Sequence, residues 1–256
     1  MQEKKIQASE LYARIGSPGS GDEARIRRLI DPVSKFVTGK VLVIGCGRGA
    51  ELKVIEELTG ISPVSVDINP HFIEGVRQQG YEALVCDLDK GVPLGNGTFD
   101  TVYAADILEH VESPTRVLRE SYRVLTPGGT LIVLAPNVDF RHERSHPFHL
   151  NYFSKKAMRF TLESSGFRPK EVFLGPFIPR SVYKKLNKVS SLKGIRTLII
   201  KTIFNIGMGK SLAEKTWKFM PNRRWRTLIY AVGVKDEEAF EQRYAKWEEA
   251  LLEGDE

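Results

Sequence analysis

The sequence has few cysteines, no long apolar run and no internal repeat, and each absence narrows the class of protein. Only two of its 256 residues are cysteine, Cys46 and Cys86, and they show neither metal-ligand spacing nor a disulfide framework. No apolar stretch is long enough to predict a transmembrane helix. The first residues are charged and do not resemble a secretory signal. We therefore expect a cytoplasmic protein with reduced thiols.

Acidic residues are almost missing from one region. The chain has a formal net charge of +6, yet residues 177–226 hold 13 Lys and Arg against one acid, Glu214. Such asymmetry predicts an anionic partner for this basic region. Its apolar residues from Ile195 to Ile206 recur at helical spacing, which predicts a helical insertion. Three interpretations stay open: a lid over an acceptor site, peripheral contact with an anionic membrane surface, or contact with RNA. No RNA-binding module is recognisable, which favours the first two.

The rest of the chain alternates predicted strands with predicted helices. This rhythm indicates an α/β fold with a doubly wound, mostly parallel sheet, preceded by a mobile arm at residues 1–21. Ligands of such sheets bind at the carboxyl ends of the strands. The chemistry-bearing residues of this sequence fall at those ends: the glycine run Gly45–Gly49, Asp67, Asp87 and Asp106.

The segment Val41-Leu42-Val43-Ile44-Gly45-Cys46-Gly47-Arg48-Gly49 predicts a buried strand followed by a glycine loop and a helix. Glycines there let backbone N–H groups and a helix N-terminus approach a ligand. An acid at the end of the next strand, Asp67, suits the two hydroxyls of a ribose. Both features would also serve a dinucleotide oxidoreductase. No residues for hydride transfer accompany them.

Three later segments occur in order after the glycine loop: Phe99-Asp100-Thr101-Val102, Ala105-Asp106-Ile107-Leu108-Glu109-His110-Val111 and Leu125-Thr126-Pro127-Gly128-Gly129. With these, the chain resembles a class I S-adenosylmethionine-dependent methyltransferase of the broad small-molecule type, over residues 22–175 and 227–235. The resemblance implies a Rossmann-like, seven-stranded sheet whose last strand is antiparallel. The basic insertion would then lie between strands 6 and 7 of a single domain spanning residues 1–256.

The resemblance also implies a cofactor site for S-adenosylmethionine. The loop residues Gly45, Cys46, Gly47 and Gly49 would approach the methionine and ribose portion, with Cys46 as a small residue that fits the loop. Asp67 would bind the ribose hydroxyls. The remaining cofactor-binding residues would be Ile68 and Leu88 beside the adenine, Asp87 as acceptor from its amino group, and Asp106 near the sulfonium.

One departure from the family pattern concerns the strand before the loop. Members of the family usually carry an acid two residues before the first loop glycine, where this chain has Val43. That acid commonly braces the glycine loop and the amino group of the cofactor.

The candidate acceptor residues follow the fifth strand, where His142, His146 and His149 occur close together. Imidazole titrates near neutral pH, so His149 or His146 is a candidate general base, with Asp106 beside the methyl donor. A structural role for His149 stays open. No helical or strand spacing among the three histidines supports a metal site, so no metal is expected.

The sequence therefore predicts an enzyme that transfers a methyl group from S-adenosylmethionine to an acceptor, either a small molecule or a lipid-linked compound. Two alternatives remain: an RNA-modifying methyltransferase, and a cofactor-binding protein without activity. Localisation would be cytoplasmic, with peripheral membrane contact if residues 177–226 face a bilayer.

Overall fold

The computed structural model describes residues 23–138, 149–175 and 228–238, together with positions 3, 6 and 241. The predicted N-terminal arm (1–21) lies outside the described residues except for positions 3 and 6. The basic insertion (177–226), His142 and His146 lie outside them as well. Within the described part no helix is long and apolar enough to cross a membrane.

The elements alternate as the sequence predicts. In chain order they are α1 (Glu23–Ile30), a 3-10 turn (Ser34–Phe36), β1 (Val41–Ile44), α2 (Ala50–Thr59), β2 (Val64–Asp67), α3 (Pro70–Gln78), β3 (Ala83–Val85), β4 (Phe99–Ala105), α4 (Pro114–Val124), β5 (Leu125–Pro136), α5 (Lys155–Ser164), β6 (Phe167–Gly175) and β7 (Leu228–Lys235).

Seven strands form one sheet in the order β3-β2-β1-β4-β5-β7-β6. The strands from β1 to β5 pair in parallel, whereas β7 runs antiparallel between β5 and β6. The implied seven-stranded sheet with an antiparallel last strand is confirmed. Strand order reverses at β1 and β4, and the crevice at such a switch point is where ligands of open α/β sheets bind. The glycine loop and Asp106 follow these two strands directly.

Helix starts depend on capping side chains that the sequence shows plainly. The side chain of Asn69 accepts a hydrogen bond from the backbone N–H of His71, with Pro70 in the first helical turn of α3. Ser154 accepts from the backbone N–H of Ala157 and begins α5. Such caps satisfy N–H groups that have no partner inside the helix. They also fix where each helix leaves its strand, and so where the strand-end residues lie.

The sheet separates two apolar cores, as period-two alternation along β1 requires. Leu42 and Ile44 pack into the core on one face, whereas Val41 and Val43 pack into the core on the other. All four are fully buried, which agrees with the continuous apolar run predicted for an inner parallel strand. The short loops at the carboxyl ends of the strands therefore start from rigid positions.

The fifth strand has an irregular start. In the structure β5 begins at Leu125, directly after α4, and its pairing with β4 shifts register between Phe99 and Thr101. The segment Pro127-Gly128-Gly129 lies inside β5, and Gly128 has a φ of +76°. Proline and two glycines, which are typical of a turn, are thus accommodated within the strand.

Candidate functional site: a cofactor cleft at the strand ends

The glycine loop between β1 and α2 is held by hydrogen bonds to β2 on one side and leaves open space on the other. The backbone N–H groups of Gly45 and Cys46 donate to the carbonyl oxygen of Val66, at 2.8 and 3.2 Å. Gly45 has a φ of +73°, and a Cβ there would lie 2.7 Å from the Ile107 side chain. Gly47 has a φ of +51°, and a Cβ there would meet nothing within 4 Å. The loop thus leaves open space above Gly47, which a side chain would intrude upon.

Asp67 lies at the carboxyl end of β2 and joins two loops. One carboxylate oxygen accepts from the backbone N–H of Gly47 at 2.8 Å, and the other from that of Asn69 at 2.9 Å. Burial raises the pKa of the Asp67 carboxyl, while these hydrogen bonds act in the opposite direction. A carboxylate has about four lone-pair positions, so two backbone bonds leave it able to accept from ribose hydroxyls. Asp67 therefore shapes the loop as well as offering the predicted acceptor.

The predicted adenine residues follow β2 and β3 and lie along the same edge of the sheet. The backbone N–H of Cys86 donates to the Asp67 carbonyl oxygen at 2.8 Å, which ties the start of this segment to β2. Asp87 is mostly buried, with Lys90 3.7 Å from its carboxylate. Leu88 is buried in the core beneath it, and Ile68 is half-buried after β2. The structure brings these residues to the edge that the glycine loop occupies.

Asp106 ends β4 in an unusual backbone conformation. Its φ of +49° is the one positive value among the non-glycine residues that the structure describes. Its backbone N–H donates to the Leu134 carbonyl oxygen at 3.0 Å, which holds the turn against β5. Strained backbone of this kind concentrates at functional sites. Its carboxylate acts electrostatically on Glu51 of α2, Tyr103 of β4 and Tyr230 of β7.

Glu51 is a site residue that the sequence analysis did not single out. It lies in the first turn of α2, directly after the glycine loop. Burial, followed by the charge of Asp106, raises the pKa of its carboxyl from 4.5 to about 8, while Arg25 acts in the opposite direction. Because Glu51 titrates near neutral pH, its ionisation is sensitive to any cation that binds nearby. The signal in the sequence that could have identified Glu51 is its position directly after the glycine loop.

Val43, where the family pattern has an acid, is an ordinary core residue here. It is fully buried and pairs with Ser65 and Tyr103 on the adjacent strands. The Tyr103 hydroxyl is buried and has no hydrogen-bond partner within the described residues. The usual position therefore supplies no carboxylate in this chain, and Glu51 and Asp106 are acids near the glycine loop in addition to Asp67.

The backbone of Cys46 forms part of the glycine loop, and its thiol is buried. The side chain is buried, and burial raises the pKa of the thiol to about 12, with a further contribution from the charge of Asp67. A thiol at neutral pH is a weak nucleophile. The part of Cys46 in cofactor binding stays a prediction.

Of the three candidate histidines, only His149 is among the described residues, and it is 8% exposed. Its ring packs edge-on against that of His110, with centroids 5.0 Å apart, and 6.2 Å from that of Tyr152. Leu150 beside it is 61% exposed and Tyr152 38% exposed. A buried imidazole thus stands next to an exposed apolar surface at the turn that follows Asp106.

The residues at the strand ends fit a cationic cofactor better than a dinucleotide. S-adenosylmethionine carries a sulfonium and an ammonium group, and Asp67, Asp106 and Glu51 offer carboxylates on the side of the loop. The pyrophosphate of a dinucleotide would bind at the N-terminus of α2. Glu51 lies in the first turn of that helix, so its carboxylate would repel the pyrophosphate when ionised. The open space above Gly47 accommodates a ligand that lies against the backbone.

Comparison with known proteins agrees with this geometry. Residues 42–133 match the family model described as a methyltransferase domain. The norajmaline N-methyltransferase of Rauvolfia serpentina is 29% identical over 133 residues, which cover 45% of each chain. A ubiquinone biosynthesis O-methyltransferase of Xanthomonas oryzae pv. oryzae is 32% identical over 105 residues, which cover 38% of this chain and 43% of that protein. The chain thus spans less than half the length of these relatives.

Solved structures show the same fold. A complex of the Haloferax volcanii Trm112 methyltransferase activator with a methyltransferase has a TM-score of 0.61 at 17% identity, over 89% of this chain and 97% of that chain. A Haemonchus contortus phosphoethanolamine N-methyltransferase 2, bound to S-adenosylhomocysteine, has a TM-score of 0.55 at 16% identity, over 82% of this chain and 52% of that chain. At such identities the likeness concerns the fold alone.

The matched segment contains β1 to β4 and most of β5, with the glycine loop, Asp67, Asp87 and Asp106. This segment is therefore similar to a methyltransferase domain, which agrees with the resemblance to class I S-adenosylmethionine-dependent methyltransferases.

Proposed function

We propose that this protein transfers the methyl group of S-adenosylmethionine to an acceptor bound beside the segment 149–152. The observation that carries the proposal is the convergence of Asp67, Asp106 and Glu51 on one glycine loop at the switch point of the sheet. S-adenosylmethionine supplies a methyl group on a sulfonium, which a nucleophilic acceptor can displace directly. The protein then has to align the two reactants and exclude water.

Each residue of the cleft has a proposed role in holding the cofactor. The backbone at Gly45, Cys46, Gly47 and Gly49 lies against its methionine and ribose portion, and Asp67 accepts from the ribose hydroxyls. The adenine lies between Ile68 and Leu88, with Asp87 accepting from its amino group. Asp106 and Glu51 face its cationic groups. Glu51 thereby takes over from the acid that Val43 replaces.

The acceptor side is proposed from the surroundings of His149. His149, together with His146 and Asp106, is a candidate for removing or holding the acceptor proton when the acceptor is weakly acidic. The exposed Leu150 and Tyr152 favour an acceptor with an apolar part, either a small molecule or a lipid-linked compound. Alkyl and aromatic surface of the acceptor would pack there while its polar atom faces the methyl group.

For the basic insertion (177–226) we keep the two proposals made from the sequence: a helical lid over the acceptor, and contact with an anionic membrane surface. Vesicle flotation at low and high salt separates them, because lysines near an anionic surface contribute about 1 kcal/mol each and are screened by salt. Enrichment on anionic vesicles that added salt removes supports the membrane proposal. No enrichment at low salt contradicts it and leaves the lid.

The test of the proposed function is calorimetric titration of S-adenosylmethionine into the purified chain, followed by a search for S-adenosylhomocysteine formed with panels of apolar alcohols, phenols and amines. Asp67→Ala should bind weakly, because a hydrogen bond to a charged group contributes about 1.5–3 kcal/mol. Asp31→Asn, which alters an exposed acid after α1, is the matched control. Equal affinity in both variants contradicts the proposed cofactor site. A chain that binds the cofactor but turns over with no acceptor class supports the alternative of an inactive cofactor-binding protein.

A further inference from the structure

Three side chains capable of binding a metal meet next to the cofactor cleft. Glu109 and His110 lie in the turn after β4, and His149 comes from the segment before α5. Their ligand atoms all lie within 4.8 Å of one another. His110 Nε2 and Glu109 Oε1 are 3.9 Å apart. Glu109 is 1% exposed, so this is an interior cluster and not a chance meeting of surface residues.

The backbone holds the two segments together independently of the cluster. The N–H groups of Leu150 and Asn151 both donate to the Glu109 carbonyl oxygen, at 2.7 and 3.2 Å. The Asn151 side-chain amide donates to the carbonyl oxygens of Leu108 and Val111, at 3.2 and 2.6 Å. Four hydrogen bonds therefore fix the two residues after His149 against the turn that carries Glu109 and His110. A site whose ligands are held by such supporting contacts loses little order when an ion binds.

The donor set indicates which ion fits. Two imidazoles and one carboxylate are the protein ligands of open zinc sites, in which a further position is left for water or substrate. Imidazole suits Zn²⁺ and neighbouring transition metals, whereas Mg²⁺ and Ca²⁺ prefer oxygen ligands alone. Zinc binds nitrogen at about 2.0–2.1 Å, so small side-chain rotations would have to draw the three ligands together. A divalent ion would also neutralise the buried carboxylate of Glu109.

We propose that Glu109, His110 and His149 bind one divalent transition-metal ion, of which Zn²⁺ is the best match, at the edge of the cofactor cleft. This proposal departs from the expectation of no metal, which considered only the spacing of His142, His146 and His149. Two of the three ligands proposed here come instead from the turn after β4. Asp106 lies three positions before Glu109 on the same turn. If the proposed function holds, the open position of the ion faces the acceptor, where it would bind an acceptor oxygen and lower the pKa of its proton.

The experiment uses the full chain, dialysed against a chelator and titrated with ZnCl₂ alone in a calorimeter. Wild type should bind one Zn²⁺ per chain. His149→Ala, His110→Ala and Glu109→Gln should each weaken binding by at least about 10-fold. His71→Ala, which removes an exposed imidazole on α3, should bind as wild type does. The melting temperature is measured with and without ZnCl₂ for every variant, and Zn²⁺ should raise it in wild type and His71→Ala only.

Two outcomes overturn the proposal. The first is the absence of Zn²⁺ binding by wild type. The second is wild-type Zn²⁺ affinity in the folded variants His149→Ala, His110→Ala and Glu109→Gln. Loss of Zn²⁺ binding in the double variant His142→Ala, His146→Ala would then place the ion elsewhere. Titration of the chelator-treated chain with S-adenosylhomocysteine separates this proposal from the proposed function. A chain that binds Zn²⁺ but not S-adenosylhomocysteine retains the metal site and loses the methyltransferase assignment.

Discussion

Replacing Glu51 with glutamine tests the electrostatics of the cleft. The pKa of the Glu51 carboxyl is raised from 4.5 to about 8, mainly by burial and then by Asp106. The difference of about 3.5 pKa units corresponds to about 5 kcal/mol, at about 1.4 kcal/mol per unit. Because the side chain is partly exposed, solvent reduces this figure, and we expect about 2 kcal/mol. Ionised Glu51 thus destabilises the free protein.

The pH dependence follows from the direction of the pKa change. Below about pH 4.5 the carboxyl is protonated in both the folded and the unfolded chain, so its ionisation does not change the free energy of unfolding. Between about 4.5 and 8 the folded chain binds more protons than the unfolded chain, so stability falls as the pH rises, and the full cost is present above 8. Glu51→Gln should therefore match wild type near pH 4.5 and exceed its free energy of unfolding at pH 9.

Urea unfolding at several pH values between 4.5 and 9 measures this difference, with Glu82→Gln as the control for the same chemical change at an exposed position. The same variant should bind S-adenosylmethionine more weakly than wild type above pH 8, where ionised Glu51 attracts the cationic groups of the cofactor. S-adenosylhomocysteine keeps the ammonium group that Glu51 is proposed to hold, so its binding should weaken as well. Parallel stability curves for Glu51→Gln and wild type, or lower stability of the variant at pH 9, would refute the reasoning.

Three further predictions concern the loop and its supports. Gly47→Ala should abolish cofactor binding in calorimetry, because its Cβ enters the open space of the cleft. Gly97→Ala is the control, since Gly97 has a similar φ of +57° and equally open surroundings. It should lower the free energy of unfolding by the backbone strain alone, about 1–2 kcal/mol, and leave binding unchanged. Equal binding in the two would contradict the loop's role. Asp67→Ala should lower the free energy of unfolding by about 2–4 kcal/mol, because the N–H groups of Gly47 and Asn69 lose a charged acceptor. Arg123→Ala should lower the free energy of unfolding in urea by about 3 kcal/mol and leave the cofactor stoichiometry unchanged. The Arg123 guanidinium donates to Glu120, to Asn96 and to two backbone carbonyl oxygens of the segment before β4. Unchanged stability in either of the last two variants would show that these hydrogen bonds contribute nothing net.

The positions of the proposed cofactor residues at the strand ends could be predicted because their determinants are local. An apolar run followed by glycines marks β1 and its loop, and an acid at the end of a short apolar segment marks Asp67. Capping residues such as Asn69 and Ser154 place the helix starts. Parallel strands then bring these points to one edge of the sheet, which is why residues far apart in sequence could be assigned to one site.

The acceptor side could be predicted only in part, because it depends on contacts between distant segments. His149 was singled out by its neighbours in sequence, His142 and His146. The structure instead joins His149 to Glu109 and His110, through hydrogen bonds between segments that no local pattern reveals. Glu51 was overlooked for a similar reason. Its surroundings become unusual only when β4 brings Asp106 beside the first turn of α2.

The central claim is that the strand-end residues form one site for S-adenosylmethionine. Its most direct test is calorimetric titration of the purified full chain with S-adenosylhomocysteine, the demethylated product, with NAD as the competing ligand. We predict one binding site per chain for S-adenosylhomocysteine, its loss in Gly47→Ala but not in Gly97→Ala, and no binding of NAD. The absence of S-adenosylhomocysteine binding, or tight binding of NAD in its place, would contradict the account.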